Sequence, residues 1–165
     1  MTKIAIVSDS HGRIDRLETL LSNLQKSGIK TVIHAGDFLV EGVIEILKKF
    51  STLQIHIARG NCDVNEVSWE EVVNLPHVKA QEVLKIQIED TLIAVSHIQG
   101  WAQNAYQTKD IDIFIHGHTH RRKIETKSHP IILNPGALTD DGAYLILSLP
   151  DKKVEVKWFS DMVEL

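Results

Sequence analysis

The chain has almost no cysteine and no long hydrophobic run. Cys62 is its single cysteine, so no internal disulfide can form, which agrees with a reducing compartment. No apolar stretch approaches the ~20 residues that a membrane span needs. The amino terminus reaches Asp9 after only a short apolar stretch, unlike a signal peptide. We therefore expect a cytoplasmic protein with no membrane partner.

The chain also lacks an excess of positive charge. It has 18 Lys and Arg residues against 22 Asp and Glu residues, which gives a formal net charge of -4. Because no strongly basic surface is available, extended nucleic acid is not an expected partner. The 165 residues fit one domain, which we predict to span residues 1–165. The sequence leaves the subunit number open, and a homo-oligomer is compatible with it.

In the first half of the chain, short β-branched runs alternate with helical patterns. Buried strands are predicted over residues 3–7, 31–35 and 54–58. Between the first two strands, apolar residues recur at helical spacing from Ile14 to Leu24, and Gly28 is placed to end this helix. A second helix is predicted after Asp37, with an apolar face of Val40, Val43, Ile44 and Leu47. This β-α-β-α-β order implies parallel strands with right-handed crossovers.

The second half of the chain has a different pattern. Runs at 83–88, 91–96, 111–115, 131–133, 144–149 and 154–158 are typical of strands. Tight connections such as Glu89-Asp90 and Pro150-Asp151-Lys152 favour antiparallel pairing among the runs at 83–88, 91–95, 131–133, 144–149 and 154–158. So many strands in one open sheet would tend to curl or split. We therefore predict an α/β fold of two mixed sheets packed face to face, with helices outside.

Polar residues follow several of the predicted strands. The strings Ser8-Asp9-Ser10-His11-Gly12 and His116-Gly117-His118-Thr119-His120 hold carboxylate and imidazole groups. Between these strings lie Gly36-Asp37, Gly60-Asn61 and a solitary His97. Because each of them follows an apolar run, the side chains are expected at one edge of a sheet, where open α/β folds bind their ligands.

The spacing of these residues suits two metal ions. Asp9 and His11 lie two residues apart, so that in an extended segment both side chains point to one face and can share a cation. The pair His118 and His120 repeats this spacing. The predicted ligand set is completed by a carboxylate that could bridge two ions, an amide oxygen and an imidazole, from Asp37, Asn61 and His97.

The donor types narrow the choice of metal. Nitrogen and oxygen ligands without thiolate suit manganese, iron, zinc or nickel better than calcium, which prefers oxygen alone. We predict two divalent ions, with manganese as the first choice and nickel, zinc and iron as alternatives.

The ordered motifs resemble those of the calcineurin-like metallophosphoesterases, in which Asp-x-His is followed by Gly-Asp, Gly-Asn, a lone His and Gly-His-x-His. Here the series extends from Asp9 to His120. Downstream, Asn134-Pro135-Gly136 is similar to the Asn-Pro-Gly turn of the small, capless, phosphodiesterase-like branch of the family. The resemblance implies a four-layer α/β/β/α sandwich and a metal-dependent phosphodiesterase that hydrolyses small phosphate esters.

The same resemblance implies how the ligands are divided. It assigns one ion to Asp9, His11 and His120, the other to Asn61, His97 and His118, and a bridging position to Asp37. Asp37, Asn61 and His97 are predicted to take part in catalysis as well as to bind metal. Our hypothesis for the reaction is attack on phosphorus by a hydroxide that bridges the two ions.

One residue departs from the pattern of many family members. Cys62 follows Asn61, where those members have a histidine that protonates the leaving group or stabilises the transition state. The series Gly-Asn-Cys-Asp also occurs in small phosphodiesterase-like members, so Cys62 and Asp63 favour that branch. The usual candidate for the general acid is therefore missing.

Several alternatives stay open. The protein could be a phosphomonoesterase, since nothing in the sequence decides whether a second ester substituent is accepted. It could also be a non-catalytic protein-binding scaffold of the same fold, although seven intact ligands disfavour this. At the level of single residues, Asp9 and Asp37 could cap the helices that follow them, Asn61 could form an ordinary turn, and His97 could be structural.

Overall fold

The computed structural model describes residues 1–106 and 108–163 of the chain. Its strands are β1 (Thr2–Val7), β2 (Thr31–His34), β3 (Gln54–Ala58), β4 (Val78–Gln81), β5 (Val83–Ile88), β6 (Thr91–Ser96), β7 (Ile113–Ile115), β8 (Lys123–Glu125), β9 (Ile131–Asn134), β10 (Ala143–Leu149) and β11 (Lys153–Trp158). Its α-helices are α1 (Ile14–Lys26), α2 (Val43–Lys49), α3 (Glu66–Val73), α4 (Gln99–Ala105) and α5 (Ser160–Val163). Within the two described ranges, no helix combines the length and the apolar character needed to cross a membrane.

The strands form two mixed sheets. The first has six strands in the order β11-β10-β1-β2-β3-β4, and β1 to β4 run parallel to one another. The second has five strands in the order β5-β6-β7-β9-β8. In the first sheet β10 lies antiparallel to β1, and in the second β5 lies antiparallel to β6. The predicted pair of mixed sheets is confirmed.

The sheets pack face to face because the strands of the first sheet are apolar on both sides. In β1 the residues Ile4 and Ile6 point into a core that is shared with β6 and β7 of the second sheet. Ala5 and Val7 point the other way, into a core shared with α1 and α2. On the outer face of the second sheet, Phe114 packs with Ala102 of α4. The four layers are therefore helix, sheet, sheet and helix, as predicted.

Helix α1 shows how the sequence places the first helical layer. Its residues Leu17, Leu20, Leu21 and Leu24 are buried and recur at the spacing of one helical face. They pack on the first sheet, and the helix ends at Lys26, just before the positive-φ residue Gly28. The crossover from β1 to β2 is therefore fixed by the leucine pattern.

One pairing differs from the prediction, and five of these strands and α-helices were missed. The run at 131–133 was expected to pair antiparallel with other predicted runs, but its partner among the predicted strands is β7, with which β9 pairs in parallel, in the register Ile113 to Ile131. The connection between them is a long crossover that includes β8, and β8 itself pairs antiparallel with β9. The missed elements α3, β4, α4, β8 and α5 are short, and in α3 only Val72 is buried. Elements with so few buried residues give little periodicity to detect.

Candidate metal centre

The predicted ligands lie at the carboxyl ends of strands from both sheets. They follow β1 (Asp9, His11), β2 (Asp37), β3 (Asn61), β6 (His97) and β7 (His118, His120). Since β1, β2 and β3 are parallel, their carboxyl ends share one edge of the first sheet. The amide of Gly117 donates to the carbonyl of His97 and so joins the loops after β7 and β6 of the second sheet. The amide of Leu138, after β9, donates to the carbonyl of Ser8 and so joins this sheet to the loop after β1 of the first sheet. The fold thus gathers all seven residues into one region.

Asp9, His11 and His120 form the first group of potential ligands. The Oδ1 atom of Asp9 lies 3.2 Å from Nε2 of His120 and 3.8 Å from Nε2 of His11. The two imidazole Nε2 atoms are 3.3 Å apart. One ligand atom from each of these residues lies within 4.8 Å of the other two, a spacing that could hold one metal ion.

Asp9, Asp37 and His97 form a second group, deeper in the protein. Nε2 of His97 lies 3.2 Å from Oδ2 of Asp37 and 3.9 Å from Oδ1 of Asp9. The same Oδ2 atom of Asp37 lies 3.7 Å from Nε2 of His11. Asp37 therefore faces imidazoles of both groups, as a bridging ligand would.

His118 and Asn61 stand at the exposed rim of this region. Nδ1 of His118 is 3.0 Å from the side-chain oxygen of Asn61. The His118 ring meets the ring of His97 edge-on, with centroids 5.1 Å apart. Both rim residues thus lie beside the second group and are open to solvent.

Cys62, which was not among the predicted metal ligands, lies beside the site. The Cys62 sulfur lies within 4.8 Å of a ligand atom of His11 and of one of Asp37, and those two atoms are equally close to each other. Partial burial and the neighbouring Asp37 carboxylate raise the pKa of this thiol. In the protein without metal the sulfur therefore stays protonated, although it lies where it could contact a bound cation.

The residues fit a cation because two buried acceptors have no other partner. Oδ1 of Asp9 and Nε2 of His97 are buried and make no hydrogen bond. A buried polar atom without a partner is unfavourable by about 1–3 kcal/mol. Both atoms face the centre of the cluster, and the mixture of oxygen and nitrogen donors suits a divalent transition metal.

Hydrogen bonds prepare His97 and Asp37 for this role. Nδ1 of His97 lies 2.7 Å from the carbonyl of Ala35, so the ring donates from Nδ1 and presents the Nε2 lone pair to the carboxylates. Burial alone would raise the pKa of Asp37, but the adjacent His97 and a hydrogen bond from the Cys62 amide lower it well below its usual range. Asp37 is therefore ionised.

Five of the seven residues adopt left-handed backbone conformations. Their φ angles are 51° for Asp9, 39° for His11, 58° for Asp37, 68° for His118 and 58° for His120. Residues with a Cβ rarely adopt this region, and each such residue costs about 1–3 kcal/mol. The argument from an extended segment was therefore wrong: the pairs Asp9 and His11, and His118 and His120, converge because sharp turns direct them. Strain of this size is typical of functional sites.

Neither carboxylate caps a helix. Helix α1 begins after Arg13 and α2 after Gly42, and neither N-cap residue makes a side-chain capping bond. Instead, Oδ2 of Asp9 accepts hydrogen bonds from the Ser8 hydroxyl at 2.6 Å and the His118 amide at 3.1 Å. Asp37 accepts the Cys62 amide through Oδ1 at 2.8 Å. Each carboxylate thus holds the loop that carries another predicted ligand.

Asp63 holds two of these loops together, a role that the sequence did not reveal. Its buried carboxylate accepts four backbone hydrogen bonds. Oδ2 accepts from Asp37 at 2.9 Å and Gly60 at 2.7 Å, and Oδ1 from Phe38 at 3.0 Å and Leu39 at 2.8 Å. The loop after β2 is thereby fixed to the turn that carries Asn61.

Two glycines allow the loops to approach this closely. A Cβ atom at Gly60 would lie 2.1 Å from Oδ1 and 2.2 Å from the backbone nitrogen of Asp37. A Cβ atom at Gly117 would lie 1.9 Å from the Ser8 hydroxyl and 2.7 Å from Oδ2 of Asp9. Any side chain at either position would therefore displace a predicted ligand.

Two buried histidines that were not predicted as ligands, His34 and His116, make hydrogen bonds with residues near the site. The Gly36 amide donates to Nδ1 of His34 at 3.1 Å, which leaves Nε2 to donate to the Ser10 hydroxyl at 2.9 Å. Burial lowers the pKa of His34 to about 3, so the ring is neutral. His116 is also buried, and its Nδ1 lies 3.2 Å from Nδ2 of Asn134. Both rings contact the loops that bear the predicted ligands.

Comparisons with known proteins give a family model and relatives that cover most of the chain. A family model described as the calcineurin-like phosphoesterase superfamily domain matches residues 2–151. Phosphodiesterase MJ0936 of Methanocaldococcus jannaschii is 28% identical over 143 residues, which cover 81% of this chain and 82% of that protein. Phosphodiesterase YfcE of Escherichia coli K12 is 25% identical over 152 residues, covering 84% of this chain and 80% of that protein. A solved structure described as a novel archaeal phosphodiesterase has the same fold, with a TM-score of 0.80 and 24% identity over 94% of this chain and 99% of that one.

Proposed function

The chain belongs to the calcineurin-like phosphoesterase superfamily, and we propose that it is a two-metal phosphodiesterase acting on small phosphate esters. The family match spans residues 2–151, so nearly the whole chain is a phosphoesterase domain of the metal-dependent type. Relatives named phosphodiesterase support the preference for diesters.

The observation that carries the proposal is the convergence of buried carboxylates and imidazoles at one sheet edge. Asp9 and His97 are wholly buried and Asp37 is 4% exposed, and all three offer ligand atoms within 4.8 Å of one another. Two neighbouring buried carboxylates are unfavourable unless a positive charge or a proton compensates them. Divalent cations supply that charge.

We propose the division of ligands that the family resemblance implies. One ion would be held by Asp9, His11 and His120, the other by Asn61, His97 and His118, and Asp37 would contribute to both sites. The contacts of Asp37 with both His11 and His97 support the bridging role. Asn61 and His118 would complete the second site from the solvent side, where their 3.0 Å contact already joins them.

When bound, the two ions lower the pKa of a water molecule and neutralise charge on the phosphoryl oxygens. The chain's own residues decide where this occurs. Asn61 and His118 line the exposed rim at which a phosphate ester enters. Among the arginines near the ligand loops, Arg13 pairs with Asp15 at 2.8 Å and Arg59 pairs with Glu66 at 2.6 Å.

Manganese is the proposed metal, with nickel, zinc and iron as alternatives. The proposed ligands are four imidazoles, two carboxylates and one amide oxygen, a set too rich in nitrogen for calcium. The overall negative charge of the chain argues against an extended nucleic acid as a substrate. The single domain over residues 1–165, the cytoplasmic location and the possible homo-oligomer stay predictions.

Hydrolysis of bis(p-nitrophenyl) phosphate by metal-free protein reconstituted with Mn²⁺ tests the proposal. We expect kcat/KM for this diester to exceed that for p-nitrophenyl phosphate by about tenfold or more, or about 1.4 kcal/mol in activation free energy. EDTA should abolish both reactions.

The other outcomes separate the alternatives. Faster hydrolysis of the monoester would establish the phosphomonoesterase instead. Failure to hydrolyse either compound with manganese, nickel, zinc or iron would contradict the enzyme and favour the scaffold.

A further inference from the structure

Asp140 contacts a predicted metal ligand although it belongs to none of the sequence motifs. Its Oδ2 atom lies 2.9 Å from Nδ1 of His120. Asp140 lies in the loop between β9 and β10, while His120 lies in the loop after β7. The contact therefore joins two loops on the side of the site where Asp9, His11 and His120 meet.

The contact determines which nitrogen of His120 can bind a cation. An ionised carboxylate only accepts hydrogen bonds, so Nδ1 must carry the proton and donate it to Asp140. The lone pair is then on Nε2, the atom that faces Oδ1 of Asp9 at 3.2 Å. Such a hydrogen bond also fixes the orientation of the ring, which matters here because the His120 side chain is 35% exposed.

The loop that carries Asp140 is held in place by Arg16 and by the loop after β1. Nη1 of Arg16 donates to the carbonyl of Leu138 at 2.8 Å and to that of Asp140 at 3.1 Å. The amide of Thr139 donates to the carbonyl of Asp9 at 3.1 Å. The Arg16 guanidinium in turn lies 5.4 Å from the centre of the Phe159 ring. Asp140 is therefore presented by an ordered loop that is also attached to Asp9.

From these contacts we infer that Asp140 is a positioning residue, which orients His120 and so strengthens metal binding at the site formed by Asp9, His11 and His120. The inference rests on the proposed function, because it requires His120 to be a metal ligand. Partners that orient a ligand histidine in this way typically contribute about 10–100-fold to metal affinity.

The inference is tested by titrating the metal-free protein with Mn²⁺. Binding is measured by isothermal titration calorimetry and by the EPR signal of free Mn²⁺. Asp140→Ala should weaken one of two binding events by about 10–100-fold and leave the other unchanged. Asp140→Asn should weaken it less, because the amide oxygen can still accept from Nδ1. The matched control is Asp141→Asn, whose carboxylate contacts the Ala143 amide and Arg122. This control should bind both ions like the unmodified protein.

A spectroscopic readout separates positioning from a general loss of structure. In ¹⁵N NMR spectra of the metal-free protein, His120 should be the Nδ1–H tautomer, and Asp140→Ala should change it to a mixture of tautomers. Thermal unfolding of the metal-free variant should match that of Asp141→Asn. An unchanged Mn²⁺ affinity in Asp140→Ala, or an Nε2–H tautomer in the unmodified protein, would overturn the inference.

His120→Ala distinguishes failure of the inference from failure of the proposed function. If His120→Ala lowers the affinity of one site and Asp140→Ala does not, the inference alone is wrong. If His120→Ala itself leaves both affinities unchanged, the proposed ligand set is wrong. If the inference holds, adding Asp140→Ala to His120→Ala should cause no further loss, since the two residues act as one unit.

Discussion

Replacement of Asp37 by asparagine is expected to lower kcat/KM for bis(p-nitrophenyl) phosphate by about a thousandfold, or about 4 kcal/mol. In the unmodified protein, Oδ1 of Asp37 accepts a hydrogen bond from the Cys62 amide at 2.8 Å. The side-chain oxygen of asparagine can still accept this hydrogen bond. The NH₂ group would then replace Oδ2, the atom that faces His97 at 3.2 Å and His11 at 3.7 Å. Because an amide NH₂ does not bind cations, the two sites would lose their shared anionic ligand.

The matched control for Asp37 lies at the opposite edge of the same fold. Asp112 precedes β7, accepts the Leu92 amide at 2.8 Å and pairs with Lys152 at 2.7 Å. Asp112→Asn should therefore leave kcat/KM and metal content unchanged. The metal-free Asp37→Asn protein should unfold at nearly the temperature of the unmodified protein. Activity within tenfold of the unmodified enzyme in Asp37→Asn would contradict the bridging role.

Asp63→Asn is expected to lower the free energy of unfolding by about 3 kcal/mol or more. The single oxygen of asparagine can accept one pair of backbone amides, either Asp37 and Gly60 or Phe38 and Leu39. Its NH₂ group would then face the other pair, and each buried amide without an acceptor costs about 1–3 kcal/mol. Urea denaturation of the metal-free protein measures this loss.

The Asp63 prediction has a second part. Since Asp63 fixes the loops of Asp37 and Asn61 to one another, Asp63→Asn should also weaken Mn²⁺ binding. Asp112→Asn again serves as control, because its carboxylate accepts one backbone amide and its loss should cost about 1 kcal/mol. Equal losses of stability in the two variants would show that the four hydrogen bonds to Asp63 have no special role.

The sheets could be predicted from the sequence because their strands are apolar on both faces. In β1 the residues from Ile4 to Val7 have no exposed surface. A continuous apolar run of this length is typical of a strand that is buried on both faces. Helix α3 could not be predicted in the same way, because Val67 is 70% exposed and Val72 alone is buried. The parallel pairing of β9 depends on how the chain returns after β7, which local patterns do not encode.

For the site, the sequence predicted which residues meet but not how they meet. Strand order and parallel pairing were enough to bring Asp9 and Asp37 to one edge. Both residues have left-handed φ angles and make hydrogen bonds with distant loops, such as the bond from the His118 amide to the side chain of Asp9. The contact of Asp140 with His120 depends on the path of the loop after β9, so no motif could reveal it.

The account depends on two cations being bound by seven side chains from loops of both sheets. Anomalous diffraction from crystals of the protein grown with Mn²⁺ tests this most directly. We predict two manganese peaks about 4 Å apart, with the carboxylate of Asp37 between them. No peak at this sheet edge, or a single ion bound away from Asp9 and His97, would contradict the account.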